Sequence, residues 1–434
     1  MQKLRILSVY LLLTIPCSAD TFINHRTGET FDGYVIKRTQ GNKTLVYVER
    51  EGKQYLDLND YQRSYNYLGR KNKVFIFSVK NSIELICETE AFEKALESAA
   101  NQGPLFILIE IDTPGGRVDL AQRICGAIAQ IDNCRTVAFI NGSKSIRTRR
   151  NREEHKTHFG GAFSAGAMVA LACDKIFMLD GTAIGAAASY VETSSGPKDL
   201  KTIFGETIGE KFSSALQAYF ATIAERNNRP GLLARAMVEK DIEVIEVIES
   251  GKNIFIDPAN KQANQSFVRT CSDKGSLLTL TAIEAARCGM ADKVVTSPEE
   301  FFEELGATEA TKVFDTVALK ARREFERIQS KFQRILASIR SYEEKAVAIA
   351  EGLADLDKTI LKDSKVYYDS YGRVMKQYNP EAISRRTYLI GEWQKIKKIL
   401  KEHYREALFL AKNHPDLQDY ISTLEKGLES CNGI

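Results

Sequence analysis

Between residues 73 and 305 the chain alternates short apolar runs with longer stretches whose apolar positions recur every three or four residues. "KVFIFSV", "PLFILIEID" and "RTVAFING" read as strands. The second is almost continuously apolar, as expected of a strand buried on both faces. "ETEAFEKALESAANQ", with Phe92, Leu96 and Ala99 on one face, and "RVDLAQRICGAIAQI" read as helices. "GGAFSAGAMVALACD" reads as helical after its serine, and "KIFML" as a further strand. Strands alternating with helices predict an α/β domain with a largely parallel sheet.

The flanks follow other rhythms. Residues 20 to about 70 carry short β-rich runs such as "KTLVYVEREG", separated by turn residues, and predict a small β module suited to docking. From about 315 onward, apolar residues step by alternating three and four from Phe325 through Phe332 and Ile339 to Leu353. A breaker region at Tyr371 to Pro380 follows, and a second stripe runs through Leu389, Trp393, Ile396 and Leu400 from a start near Ser384. Antiparallel helices forming a coiled-coil hairpin are the simplest way to bury both stripes. The expected divisions are thus 20–72, 73–312 and 313–434 behind a leader at 1–19.

That leader changes the picture of where the chain works. Lys3 and Arg5 precede the apolar stretch Ile6 to Ile15 and the small residues up to Ala19. The stretch is too short for a bilayer span and matches a secretory signal cut after Ala19; an acylated Cys17 is the rival. No later stretch reaches the ~18 apolar residues of a membrane helix. The expectation is an exported protein, periplasmic or extracellular, with no transmembrane helix in the mature chain. A net charge of +3 over 434 residues argues against nucleic acid as a partner, and the basic runs Lys144–Arg152 and Lys395–Lys401 read as solvated. Of eight cysteines, Cys125/Cys134 and Cys271/Cys288 are near enough in sequence to pair. No cysteine–histidine spacing suggests a metal, and no cofactor is expected.

Two glycine-rich turns follow successive strands: Asp112-Thr113-Pro114-Gly115-Gly116, and Gly160 to Gly166 around Ser164. Loops at the strand C-termini of an open α/β sheet meet in one crevice. Ser164 would start a helix, where free N–H groups and the dipole favour negative charge. Gly115 and Gly116 can turn amides toward a carbonyl oxygen without a Cβ in the way, and the Ala165 N–H is placed to help. A hydroxyl nucleophile beside an oxyanion hole is an acyl-transfer site that still needs a base.

With these motifs in hand, "IEIDTPGGRV" and "AGAMVALACDKIFMLDGTAIGAAA" resemble the ClpP/crotonase superfamily. They are most similar to NfeD-type membrane-bound serine proteases and to signal peptide peptidase A. "KGSLLTLTAIEAARCGMADKVV" resembles the stretch closing that domain, so the resemblance covers about 74 to 305. It implies a ββα spiral core, Ser164 as nucleophile, Gly115-Gly116 as oxyanion turn and a neutral lysine as base. Lys211, in the helix after the site, and Lys198, in "SGPKDL", are the candidates, Lys211 being favoured. Ala221 stands where some members carry the dyad lysine. The resemblance further implies a peptide or protein substrate and a homo-oligomer, and it admits a membrane-associated partner. Departures are the basic insertion at 143–158 and a helical segment in place of the NfeD membrane spans. The rival expectation is an inert ClpP-like assembly protein. A crotonase-type acyl-CoA enzyme is disfavoured, because export removes it from the CoA pool.

Overall fold

The computed structural model describes residues 20–38, 43–48, 51–64, 71–142, 160–188, 190–193, 196–199, 202–203 and 205–433. The expected leader at 1–19 and the basic insertion at 143–158 lie outside the described residues. The chain divides into two units, Met1–Glu84 with Thr89–Val317, and Leu85–Glu88 with Ala318–Ile434.

The first unit opens with an antiparallel sheet of β1 (Asp20–Asn24), β2 (Thr30–Arg38), β3 (Lys43–Val48), β4 (Gly52–Asp57) and β5 (Tyr61–Ser64), in the order β4-β3-β2-β1-β5. Along β3 every second residue, Thr44, Val46 and Val48, is buried, the period that a one-sided sheet requires. Phe22 stacks on Phe31 at 4.8 Å within this small core. Buried Asp20 pairs with Arg63.

The α/β part follows with β6 (Lys71–Val79), α1 (Ile86–Ala100), β7 (Pro104–Ile111), α2 (Val118–Ala129), β8 (Arg135–Ile140), β9 (Gly161–Phe163), α3 (Ala165–Ala172), β10 (Lys175–Leu179) and β11 (Ala183–Gly185). Then come a hairpin of β12 (Tyr190–Thr193) and β13 (Gly196–Asp199), α4 (Glu206–Arg226) and α5 (Gly231–Ala236). An antiparallel sheet of β14 (Val244–Glu249), β15 (Lys252–Ile256) and β16 (Ser266–Ser272) precedes β17 (Thr279–Thr281), α6 (Ala282–Arg287), β18 (Lys293–Val295), α7 (Pro298–Glu304) and β19 (Thr311–Phe314).

The central sheet runs β18-β10-β8-β7-β6-β19 and every pairing in it is parallel. All eight residues of β7 are buried, so the apolar run seen in the sequence is a strand covered on both faces. One face is closed by α7, which Ser297 caps through the Glu300 N–H. Its Phe301 stacks on Phe139 at 4.6 Å and meets Phe177 edge-on at 5.1 Å. A second, three-stranded sheet, β17-β11-β9, carries the serine turn.

In the second unit α8 (Val317–Lys362) is followed by a hairpin of β20 (Lys365–Tyr368) and β21 (Val374–Gln377), then α9 (Pro380–Lys412) and α10 (Ile421–Gly433). The pairs Lys331–Glu406 (2.8 Å), Glu343–Tyr404 and Asp357–Arg386 (2.6 Å) run in opposite directions along the two long helices. The helices are therefore antiparallel. Phe325, Phe332, Ile335 and Ile339 pack with Ile396, Leu400 and Tyr404 between them. The region expected as a plain breaker is the hairpin. The helix after it starts earlier than Ser384, because Asn379 accepts the Glu381 N–H at 3.0 Å and Pro380 occupies the first turn.

Candidate active site

Ser164 sits on the turn from β9 into α3, with φ 52° and ψ −119°. A non-glycine residue in this region is strained by about 1–3 kcal/mol, and such strain concentrates where geometry serves function. The turn is held by the Ser164 N–H donating to the Gly185 carbonyl of β11 at 2.9 Å. Helix α3 behind it is apolar all round, with Ala165 to Leu171 buried. Its small residues let it lie close to the turn that follows β7.

That second turn is stitched to the first by main-chain bonds. The Thr113 N–H donates to the Gly161 carbonyl at 2.9 Å, and the Phe163 N–H donates to the Thr113 carbonyl at 3.1 Å. The Gly161 N–H also donates to Asp112 Oδ1 at 3.1 Å. Approach is so close that side chains are excluded. A Cβ on Gly115 (φ 118°) would lie 2.6 Å from Ser164 Cβ and 3.1 Å from its Oγ, and one on Gly166 would lie 2.4 Å from Thr113 Cγ2. The two turns, remote in sequence, therefore meet at the serine hydroxyl. Ser164 itself is half-buried.

The amides differ in what they are free to do. The Gly115 N–H, expected to face an oxyanion, instead donates to Thr113 Oγ1 at 3.1 Å. Among the described residues, the Gly116 and Ala165 N–H groups donate to no other group. Gly116 (φ 146°) is clamped against Ile83, whose N–H donates to the Gly115 carbonyl and whose carbonyl accepts from the Arg117 N–H, both at 2.8 Å. Thr113 and Ile83 are thus positioning residues that sequence reasoning missed. Thr113 Oγ1 also donates to the Asn81 carbonyl at 2.8 Å, and the only hint in the sequence was its place inside the turn motif. Below the turn, fully buried Glu110 accepts from Ser78 Oγ at 2.9 Å and Asn141 Nδ2 at 2.8 Å, with Lys80 Nζ at 3.5 Å.

The lysines are less well gathered. Lys211 lies on α4 and is exposed in the single chain. Lys198 lies on β13 opposite Val191, and its side chain is outside the described residues. Ala221 is buried in α4. Among the described residues no hydrogen bond or ion pair joins Lys211 to Ser164. Neither expected disulfide, Cys125–Cys134 or Cys271–Cys288, is formed.

In the second unit Cys87, His414 and Asp416 place one ligand atom each within 4.8 Å of one another, a convergence that their sequence distance hides. All three already have structural work. Asp416 accepts the Ile86 and Cys87 N–H groups at 2.6 and 3.0 Å, capping the start of α1, and His414 Nδ1 accepts the Asp416 N–H at 3.3 Å. Burial, then Asp416, pushes the Cys87 thiol up to about 12. The cluster reads as a helix cap.

With this geometry in view, comparison with known proteins places the chain. The NfeD1b N-terminal domain family matches residues 158–267. Membrane protein NfeD1b of Bacillus subtilis is 25% identical over 245 residues, covering 56% of this chain and 44% of that protein. Membrane-bound protease PH1510 of Pyrococcus horikoshii is 24% identical over 200 residues, covering 44% and 40%. The chain is similar to NfeD-type membrane-bound serine proteases. Among solved structures, a serine-to-alanine mutant of the 1510-N membrane-bound stomatin-specific protease has a TM-score of 0.39 at 19% identity, covering 56% of this chain and 98% of that one. A lysine-to-alanine mutant of 1510-N in complex with a substrate peptide has a TM-score of 0.37 at 21% identity, covering 54% and 80%. The chain spans less than half the length of the curated relatives it matches.

The NfeD-type relatives correct the expectation of a free periplasmic or extracellular protein. They are named membrane proteins, which points to the membrane as the place of work. A leader that routes a chain for export does not distinguish a released product from one held at the membrane, and the stretch that motivated the expectation lies outside the described residues. Among the described residues, no helix is long and apolar enough to cross a membrane.

Proposed function

We propose that this NfeD-like chain is a serine endopeptidase in which Ser164 attacks a peptide carbonyl while main-chain amides receive the resulting charge. Naming of a distant relative as a protease supports a protease in the broad sense. The observation that supports the reading is the contact of Gly115 with a strained Ser164 (2.6 Å to a would-be Cβ), which brings the two glycine turns together at one hydroxyl. Ser164 Oγ adds to the carbonyl carbon as a neutral lysine takes its proton. Gly116 and Ala165 donate to the oxyanion, while Gly115 gives the turn the shape that aims them. Collapse expels the amine, protonated by the lysine, and leaves an acyl-serine that water hydrolyses. Lys211 is the favoured base and Lys198 the alternative. A neighbouring subunit of a homo-oligomer would cover Lys211. The sheet β1–β5 and the α8–α9 pair serve as docking elements for oligomer, substrate or a membrane-associated partner.

A second reading, an inert ClpP-like assembly protein, is favoured by one observation: Lys211 is exposed, and Ala221, nearly three turns further along the same helix, is buried. Hydrolysis of a peptide library by the purified protein separates the two readings. The peptidase reading expects turnover lost in Ser164→Ala and in one of Lys211→Met or Lys198→Met. Unchanged turnover in Ser164→Ala would sink it.

A further inference from the structure

No disulfide joins the described cysteines, yet they are not alike. Cys125 and Cys173 are sealed in the core, and burial holds both thiols up, Cys125 to about 12. Cys271 and Cys288 stand apart from them. Cys271 lies on β16 two residues after Arg269, at the bulge where the register with β14 shifts between Val244 and Ile245. Cys288 is the first residue past α6 and is 2% exposed, whereas Cys271 is half-buried.

Arg269 joins the strand to the end of that helix. Its Nη2 donates to Cys288 Sγ at 3.1 Å, and its Nε donates to Glu246 Oε2 at 2.7 Å. Glu246 is buried on β14 and is held in turn by Asn253 Nδ2 at 2.6 Å. A guanidinium fixed by a buried carboxylate and aimed at sulfur favours a thiolate. Cys271 completes the cluster, its own thiol held well above the usual range by Cys288 and by burial. Cys271 first, and Arg269 with it against the opposing effect of burial, lower the Cys288 thiol.

We propose that Cys271 and Cys288 are a redox-active dithiol that a small organic disulfide closes to an intramolecular disulfide. Cys271, the half-exposed partner, meets the oxidant R–S–S–R. Its sulfur passes its proton to the neighbouring Cys288 thiolate as it attacks, displaces one RS⁻ and forms a mixed disulfide. The departing RS⁻ takes that proton as RSH, and the Cys288 thiolate, restored beside Arg269, attacks the Cys271 sulfur and expels the second RS⁻, which solvent protonates. In sum, two protein thiols and one R–S–S–R give one protein disulfide and two RSH, with two electrons passing from protein to reagent.

The new bond would tie β16 to the end of α6 and close the segment that carries Leu278. The Leu278 carbonyl accepts the Ala186 N–H at 3.0 Å and crowds Gly185, whose own carbonyl receives the Ser164 N–H. Oxidation therefore stiffens the wall behind Ser164. The inference itself does not depend on what Ser164 does.

The test incubates the reduced full chain with oxidised glutathione at neutral pH, alkylates the remaining thiols after denaturation, and maps the peptides. The expected result is a Cys271–Cys288 linked peptide, with Cys125, Cys134 and Cys173 alkylated. The oxidised protein should melt roughly 5 °C higher, reversibly on reduction. Cys271→Ser should leave Cys288 alkylated, and Arg269→Lys should slow closure about tenfold as the thiolate fraction falls. Glutathione remaining on Cys271 without closure, Cys271 pairing with another cysteine, or both thiols alkylated as fully as the core ones would each overturn the proposal.

Discussion

The turn that presents Ser164 and the antiparallel pair α8–α9 are held by opposite means. At the turn a handful of main-chain contacts fix everything: Thr113 on Gly161, Ile83 on Gly115, and the bare Cα of Gly115 against the serine side chain. Along the helices many side chains share the task, from Phe325 to Ile339 on one and Ile396 to Ala411 on the other, with ion pairs on the rim. Shape is therefore critical at the turn, where one atom too many is felt directly. Stability along the helices falls in proportion to the volume removed.

The comparison can be broken most forcefully at Phe332, which is fully buried and meets Tyr420 edge-on at 5.0 Å. Phe332→Ala should cost the helical unit about 3–5 kcal/mol in urea unfolding, with hydrolysis per folded molecule unchanged. Next comes Gly115→Ala. The added methyl collides with the serine at a φ of 118° that alanine resists, so hydrolysis should fall about a hundredfold with little change in the helical content that survives heating. Gly166→Ala presses on Thr113 instead and should cost about 1–3 kcal/mol as overpacking, read as a lowered melting point with a smaller loss of rate. Smallest is Lys331→Ala, which removes an exposed pair with Glu406. Its effect should stay under about 1 kcal/mol and vanish in high salt. A larger loss from Lys331→Ala than from Phe332→Ala would reverse the picture of the helical unit.

Much of this was legible in the residues. "PLFILIEI" had to be a strand buried on both faces because no polar residue but Glu110 interrupts it, and the exception is answered by Ser78, Asn141 and Lys80. The three-and-four stepping from Phe325 fixed the inner face of α8, and the two glycine turns announced a crevice. What stayed hidden arises from long-range proximity. Nothing in the sequence tells that Gly166 is small because Thr113 lies 2.4 Å from its missing Cβ, or that Thr113 takes the Gly115 amide. The cluster of Asp416 with Ile86 and Cys87 joins residues 330 and 329 positions apart in sequence. The hairpin β20–β21 escaped because its residues are exposed on both faces, so no burial pattern marks them. The choice between Lys211 and Lys198 as the proposed base stays open for a similar reason: Lys211 stands on an exposed face of α4, and periodicity says nothing of what would cover it.

The central claim is that the Gly116 and Ala165 amides cradle the charge born at Ser164. A structure of the protein after reaction with a serine-reactive phosphonate tests it most directly. The account predicts phosphorus bonded to Ser164 Oγ and one phosphonyl oxygen within roughly 2.7–3.1 Å of both amide nitrogens. An adduct whose oxygen points into solvent, or no adduct on Ser164 in a protein that still cleaves peptides, would contradict it.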